Sequence, residues 1–184
     1  MTFTPGVRMG VDVGNARVGL SLCDRDGILA TPLKTLRRDL KKNSDRRVLR
    51  TLVKVHEVTE IFVGLPKTMS GGESSSTLMA RSYAQDLVTE LIAEGCSIPV
   101  WLVDERLTTV SAHRTLHEAG VSSRDFKTMV DQVAAVNILQ YCLDTLKAGN
   151  HVAGFLVEPQ TIECVEEISS IAQTKNDMEN LSEQ

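Results

Sequence analysis

The sequence predicts an α/β domain built on a mixed sheet of five strands flanked by helices. Near the amino end, three strand-like segments are separated only by short turns, which is typical of an antiparallel meander. Farther along, short apolar segments alternate with segments of helical pattern, as buried parallel strands do when helices cover both faces of a sheet. The 184 residues, 42% of them hydrophobic, suffice for one core.

The predicted elements follow in the order βββαβαβα, with an added helix before the last one. Residues 7–14 alternate between apolar residues and polar or small ones, as a strand does. The other strands are predicted at 17–23, 28–35, 61–63 and 100–103, and the helices at 44–57, 74–94, 110–119 and 129–147. We expect residues 1–150 to form the domain and the acidic stretch 151–184 to be a disordered tail.

Composition argues against a membrane or secreted protein. No apolar run approaches the roughly 20 residues of a membrane span. Residues 1–5 lack the charged start and apolar stretch of a secretion signal. The four cysteines are scattered without CxxC spacing, which indicates reduced thiols. A cytoplasmic location is therefore expected.

Charge is segregated along the chain. Residues 34–54 contain nine basic residues against two acidic ones, whereas the stretch from Glu158 to the end contains seven acids and only Lys175 as a base. A basic cluster can attract phosphates even on an acidic protein. The alternative is that this segment is simply a solvated helix face.

Asp12 is the most informative single position. It lies inside the first predicted strand, on the face that it shares with Gly10 and Gly14. Burying a carboxylate there is costly unless a cation or hydrogen-bond donors meet it. The two glycines would leave room for a metal ion or a phosphate. The alternative is a surface carboxylate beside turn glycines.

Two further acids follow an apolar strand at Asp104 and Glu105. Ligands of open α/β sheets gather outside the carboxyl ends of the strands. Because adjacent strand residues point to opposite faces, only one of the two acids should join Asp12. We favour Glu105 and keep Asp104 in reserve.

Asp131 lies on the last predicted helix, on the stripe of Ala134, Ala135, Ile138 and Cys142. Two alanines thin this side so that the helix can approach the sheet, and Asp131 at its head would point inward. The alternative is an N-terminal capping box that starts at Thr128.

Three carboxylates from two strands and a helix would suit divalent cations on a phosphate. Oxygen ligands favour Mg²⁺ or Mn²⁺. No Cys or His constellation competes, since His113 and His117 lack the glutamate of an HExxH motif. Such a site could stabilise charge on the entering and leaving oxygens of a phosphodiester and activate a water.

Four motifs follow one another in order over about residues 7–147. They are Gly10-Val-Asp-Val-Gly14 with Arg17 and Gly19; Gly64-Leu-Pro66 leading to Gly71-Gly72; Asp104-Glu-Arg-Leu-Thr108; and Lys127 with Val130-Asp131 and Ala134-Ala135. Together they resemble the YqgF (RuvX-like) family of RNase H-like proteins. Gln132 departs from the pattern, in which a small residue is common after the aspartate, and the acidic tail lies outside it.

The resemblance implies an RNase H-like fold and a nuclease. It implies either maturation of the 5′ end of pre-16S ribosomal RNA, which we favour, or Holliday junction resolution, by a monomer or homodimer. Asp12, Glu105 and Asp131 match the family's acidic positions, as catalytic residues and metal ligands. Candidates to bind nucleic-acid phosphates are Arg17, Lys67, Arg106 and Lys127.

Two other functions were weighed against a nuclease. The stretch from Asp12 to Gly19 also fits the phosphate loop of sugar kinases and actin. Those proteins need two such domains around a nucleotide cleft, and 184 residues supply one. A non-catalytic RNase H-like module that binds nucleic acid or protein would be marked by loss of acids, and all three candidate acids are present.

Overall fold

The computed structural model describes residues 3–66, 73–104, 126–152 and 154–159, without the side chains of 126–131. This part of the chain holds six strands and three helices. The strands are Val7–Val13 (β1), Arg17–Cys23 (β2), Ala30–Arg37 (β3), Val58–Leu65 (β4), Val100–Asp104 (β5) and Gly154–Leu156 (β6). The helices are Ser44–Val55 (α1), Ser75–Ala93 (α2) and Phe126–Lys147 (α3). The predicted helix 110–119 lies outside the described residues.

The strands form one mixed sheet in the order β3-β2-β1-β4-β5-β6. The first three strands form an antiparallel meander, and β4 and β5 extend it in parallel to β1. The predicted mixture of meander and parallel strands is therefore confirmed. As a consequence, the carboxyl ends of β1, β3, β4 and β5 and the start of β2 meet at one edge of the sheet, called the carboxyl edge below.

The sheet has six strands where five were predicted. The additional β6 pairs antiparallel with β5 and lies in the stretch predicted to be a disordered tail. Its three residues are too few for a periodic pattern, and Phe155 and Leu156 are 57% and 52% exposed. Residues 160–184 of the predicted tail lie outside the described part.

The third strand begins two residues later than predicted. The carboxylate of Asp24 accepts hydrogen bonds from the backbone N–H groups of Ile28 (2.9 Å) and Leu29 (2.8 Å). These bonds hold residues 24–29 as a closed loop, so that pairing with β2 starts only at Ala30.

Each face of the sheet is covered by its own helices. Met9, Val11 and Val13 of β1 are buried with α1 and α2, as are Leu49 of α1 and Leu87 of α2. The opposite face packs against α3 through a second core, whose members include Phe62, Val103, Ile138, Leu139, Cys142 and Leu143. Strand alternation therefore puts Gly10 and Asp12 of β1 beneath α3.

The described cysteines are packing residues. Cys23, Cys96 and Cys142 are free thiols, and Cys164 lies outside the described part. Burial raises the pKa of Cys23 and of Cys142, so that both stay protonated at neutral pH. Within the same part of the chain, no helix is both long and apolar enough to cross a bilayer.

Candidate active site

Asp12 lies one residue before the carboxyl end of β1, on the face covered by α3, and it is half-buried. Just beyond it, the backbone N–H of Gly14 donates to the carbonyl of Arg17 at 2.8 Å. A Cβ atom at Gly14 would lie 2.9 Å from that same oxygen, so this glycine allows the tight turn into β2. The carboxylate is thus carried by a rigid strand rather than by a loop.

Gly10 serves helix packing rather than ligand space, which corrects one sequence-based expectation. A Cβ atom at this position would lie 2.5 Å from the carbonyl oxygen of Ala135 and 2.8 Å from Cβ of Leu139. It would also lie 2.5 Å from Oγ of Ser21, which donates a hydrogen bond to the Ala135 carbonyl at 2.8 Å. The space above Gly10 therefore belongs to α3, and only glycine lets the helix approach the sheet so closely.

Glycines also lie on both neighbouring strands beside Asp12. Asp12 pairs with Gly19 of β2. On the other side Val11 pairs with Val63 of β4, so Gly64 comes next to Asp12. Both glycines share the face of Asp12, so the neighbouring strands contribute no side chain beside the carboxylate.

The direction of α3 brings position 131 towards Asp12. Leu143 packs beside Gly27, at the edge of the sheet where β1 begins, whereas Ala135 lies over Gly10. The helix therefore runs towards the carboxyl edge as its residue numbers fall. One further turn from Ala135 advances about 6 Å, and the two strand residues from Gly10 to Asp12 advance about the same distance. The backbone at position 131 thus lies roughly level with Asp12.

The start of α3 also bears on the alternative interpretation of Asp131. The helix begins at Phe126, so Thr128 lies inside it and is not its N-cap residue. A capping box that starts at Thr128 is therefore wrong.

Strand alternation places Asp104, the reserve acid, on the face of the sheet opposite Asp12. Val103 packs in the core beneath α3, whereas Leu102 packs in the core beneath α1 and α2. Asp104, two residues after Leu102, is on the same side as Leu102 and so on the face opposite Asp12.

Of the remaining predicted site residues, the structure describes the side chain of Arg17 alone. Arg17 is partly buried at the start of β2 and, two residues before Gly19, shares the face of Asp12. Glu105, Lys67 and Arg106 lie outside the described residues, as do the side chains of Asp131 and Lys127. Among the described side chains, no three His, Cys, Asp or Glu residues cluster closely enough to hold a metal ion.

Ser21 is a positioning residue that the sequence analysis missed. It is fully buried, and its hydroxyl joins β2 to α3 one helical turn from position 131. The available signal was one hydroxyl among the apolar residues that follow Arg17 in this strand, on the face of Gly19. Such a residue must find a partner when it is buried, but the sequence does not reveal which one.

Comparison with known proteins places the chain in a family. The family model described as RuvX, Holliday junction resolvase, matches residues 6–145. A protein of Mycobacteroides abscessus, named as a candidate pre-16S rRNA nuclease, is 50% identical over 139 residues, which are 76% of this chain and 81% of the relative. A protein of Kineococcus radiotolerans with the same name is 43% identical over 153 residues, 83% of this chain and 79% of the relative.

A solved structure agrees with the fold. T. thermophilus RuvC in complex with a Holliday junction substrate superposes with a TM-score of 0.53 over 83% of this chain and 99% of its own. At 10% sequence identity this similarity supports the fold alone. The match of the family model over most of the sequence carries the assignment: the chain belongs to the RuvX family of RNase H-like nucleases.

Proposed function

We propose that this protein hydrolyses phosphodiester bonds of nucleic acid with divalent metal held by Asp12, Glu105 and Asp131. The observation that carries the proposal is the setting of Asp12: a half-buried carboxylate on a rigid strand, with glycines on both neighbouring strands and α3 packed beside it. A carboxylate in such a place needs a cation or donors to compensate for its burial.

The donor set suits Mg²⁺ or Mn²⁺. Carboxylate oxygens are the ligands that these ions prefer, and Asp12 of β1, Glu105 and Asp131 would supply them. Divalent metal, when bound there, stabilises the negative charge that develops on the phosphate and its leaving oxygen. Asp12 would be the fixed ligand, because its strand cannot shift without disturbing the packing of α3 on Gly10.

Basic residues would hold the substrate next to these carboxylates. Arg17 is on the face of Asp12 at the carboxyl edge, where it can meet a phosphate oxygen of the bound strand. Lys67, Arg106 and Lys127 are proposed for the same task on the basis of the family motifs. Contacts of this kind position the backbone without reading sequence.

Maturation of the 5′ end of pre-16S ribosomal RNA in the cytoplasm is the substrate assignment that we favour. It is supported by the names of relatives that are 43–50% identical to this chain. Holliday junction resolution is the second candidate, favoured by the description of the matching family model. A resolvase must cut two strands and would work as a dimer, whereas an RNA nuclease can act as a monomer.

A pair of isosteric variants tests the catalytic proposal. Asp12→Asn should abolish Mg²⁺-dependent cleavage while folding and binding persist. Asp104→Asn is the matched control, since it removes the same charge from the opposite face of the sheet, and it should retain cleavage within about threefold. Both variants and the unaltered protein would be incubated with immature ribosomal RNA and with a four-way DNA junction.

The outcomes separate the candidate functions. Cleavage of the RNA alone supports the favoured substrate, and cleavage of the junction alone supports the resolvase. Undiminished cleavage by Asp12→Asn would mean that Asp12 is not catalytic. Tight binding of either substrate without any cleavage by the unaltered protein would favour a non-catalytic binding module.

A further inference from the structure

The nine basic residues of segment 34–54 differ in whether they are paired with acidic residues, and three of those in α1 are paired. In α1, Arg46 pairs with Asp86 (3.1 Å) and Glu90 (2.9 Å) of α2. Arg50 pairs with Glu90 and Glu94, and Lys54 pairs with Glu94. These three basic side chains join α1 to α2, so their charges are largely neutralised within the protein.

The strand and loop before α1 carry basic side chains of a different kind. Arg37, Lys41 and Lys42 are exposed, and none of them forms a salt bridge with any residue that the structure describes. Arg37 is the last residue of β3, and the two lysines follow in the connection to α1. We call residues 37–42, with these three exposed side chains, the basic loop.

The basic loop lies at the same edge of the sheet as Asp12. Arg37 pairs with Arg17, and Thr35 pairs with Gly19, which in turn pairs with Asp12. Arg37 therefore shares the face of Asp12, two strands away, at a lateral distance of about 10 Å. On the strand between them, Arg17 shares this face and Gly19 adds no side chain.

The loop is folded tightly around Asp39. The Asp39 carboxylate accepts hydrogen bonds from the backbone N–H groups of Lys41 (3.2 Å) and Lys42 (3.0 Å) and from the Ser44 hydroxyl (2.7 Å). The pKa of Asp39 is lowered most by the hydrogen bond from Ser44 and next by the one from the Lys42 backbone. The two lysine backbones are thus fixed while their side chains remain in solvent.

Arg38 fastens the loop to the turn that follows Asp12. Its backbone N–H donates to the carbonyl of Ala16 at 2.9 Å, and its Nη1 donates to the carbonyl of Gly14 at 3.4 Å. Its Nε lies 3.5 Å from the carboxylate of Asp45, which is buried. The basic loop therefore keeps a fixed position relative to the turn between β1 and β2.

We propose that the basic loop binds the phosphate backbone of the nucleic-acid strand next to the bond that is cleaved. Three exposed cations on a preorganised loop at the carboxyl edge of the sheet, one of them (Arg37) on the face of Asp12, attract phosphates without breaking internal ion pairs. The proposal rests on the proposed nuclease function for the identity of the ligand. It assigns no binding task to Arg46, Arg50 and Lys54.

Two triple variants of equal charge change test the proposal. Arg37→Gln/Lys41→Gln/Lys42→Gln removes the basic loop. Arg25→Gln/Lys54→Gln/Lys147→Gln removes three exposed basic side chains from the opposite edge of the sheet, of which Lys54 is paired with Glu94, and is the control of equal charge change. Binding of fluorescent single-stranded RNA, and of DNA of the same sequence, would be measured by anisotropy between 50 and 200 mM salt with EDTA present. Circular dichroism would check that both variants fold.

The expected effect follows from counterion release. Each phosphate contact on a single strand contributes about 0.7 to the salt slope, so three contacts contribute about 2. Over a fourfold change in salt, the affinity advantage of the unaltered protein over the basic-loop variant should shrink by about 20-fold. The control variant should keep the slope of the unaltered protein to within about 0.5.

Equal losses in the two variants, or an unchanged slope in the basic-loop variant, would overturn the proposal. Because EDTA prevents metal-dependent cleavage, the result does not depend on catalysis. Loss of binding in the basic-loop variant of a protein that cleaves nothing would leave the binding surface standing and refute the nuclease. Asp12-dependent cleavage, together with an unchanged salt slope in the basic-loop variant, would support the nuclease and refute the binding surface.

Discussion

Replacing Gly10 by alanine should separate α3 from the sheet. The new methyl group would meet the carbonyl oxygen of Ala135 at 2.5 Å and Cβ of Leu139 at 2.8 Å. The first is a main-chain atom of α3, so no side-chain rotation relieves the contact and the helix itself must move. The hydrogen bond from Ser21 to that same carbonyl should be lost or lengthened.

The cost can be built from its parts. Overpacking a core position costs about 1–3 kcal/mol, and a buried hydrogen bond contributes about 1 kcal/mol. Alanine also lowers the conformational entropy of the unfolded chain, which stabilises the folded state by up to about 1 kcal/mol and offsets part of this cost. We therefore expect Gly10→Ala to lower the free energy of unfolding by about 2–3 kcal/mol. Because α3 carries position 131, cleavage should fall by about 100-fold, as a misplacement of about 1 Å can cause.

Urea denaturation of Gly10→Ala and of Gly6→Ala would measure this difference. A Cβ atom at Gly6 would also make a 2.5 Å contact, but with Oγ1 of the Thr59 side chain, which is exposed and can move by exchanging its hydrogen bond to the Val7 carbonyl for one to water. Gly6→Ala should cost less than about 1 kcal/mol and leave cleavage intact. Equal stability of Gly10→Ala and the unaltered protein would refute the close packing of α3, and with it the placement of position 131.

Three other substitutions have defined consequences. Ser21→Ala should lower the free energy of unfolding by about 1 kcal/mol in urea, because it removes the hydroxyl bound to Ala135. Arg46→Gln should lower it by about 1–2 kcal/mol, because two carboxylates of α2 lose their buried partner. In Glu94→Gln the effect should depend on pH. The pKa of Glu94 is lowered most by the hydrogen bond from Lys54 and next by the one from Arg50. The ionised carboxylate therefore stabilises the folded protein at neutral pH, and this stabilisation is lost as the pH falls through the lowered pKa.

Each of these predictions can fail in a specific way. Ser21→Ala should leave the salt dependence of nucleic-acid binding unchanged, and an altered slope would mean that the hydroxyl does more than position α3. An unchanged stability of Arg46→Gln would mean that the pairs between α1 and α2 are solvent-screened. A difference between Glu94→Gln and the unaltered protein that persists undiminished in acid would mean that the carboxylate charge is not its cause.

Local patterns were sufficient to predict most of the sheet. Alternation predicted β1 because its apolar residues all face α1 and α2, whereas glycine and polar residues occupy the other face, and Gly95, with a φ of 75°, ends α2 as its place in the sequence indicates. The start of β3 was missed because the hydrogen bonds of Asp24 with the following backbone compete with strand pairing. Sequence patterns do not reveal such a competition between hydrogen bonds.

The sequence indicated candidate acids for the site but not the contacts that support them. Asp12 was found because a carboxylate inside a strand is unusual. The packing of α3 on Gly10 joins residues 125 positions apart in sequence, and no local signal indicates it. The pairing of Arg50 with Glu94, 44 positions later, also has no local signal, so the basic helix could not be distinguished from a phosphate-binding surface before the structure was known.

Binding of Mn²⁺, followed by electron paramagnetic resonance in the absence of nucleic acid, tests the convergence of the three carboxylates most directly. Four single variants would be compared with the unaltered protein: Asp12→Asn, Glu105→Gln, Asp131→Asn and Asp104→Asn. We predict that the first three each weaken Mn²⁺ binding at least tenfold and that Asp104→Asn leaves it within about twofold. Loss of binding in Asp104→Asn together with normal binding in Glu105→Gln or Asp131→Asn would contradict the account.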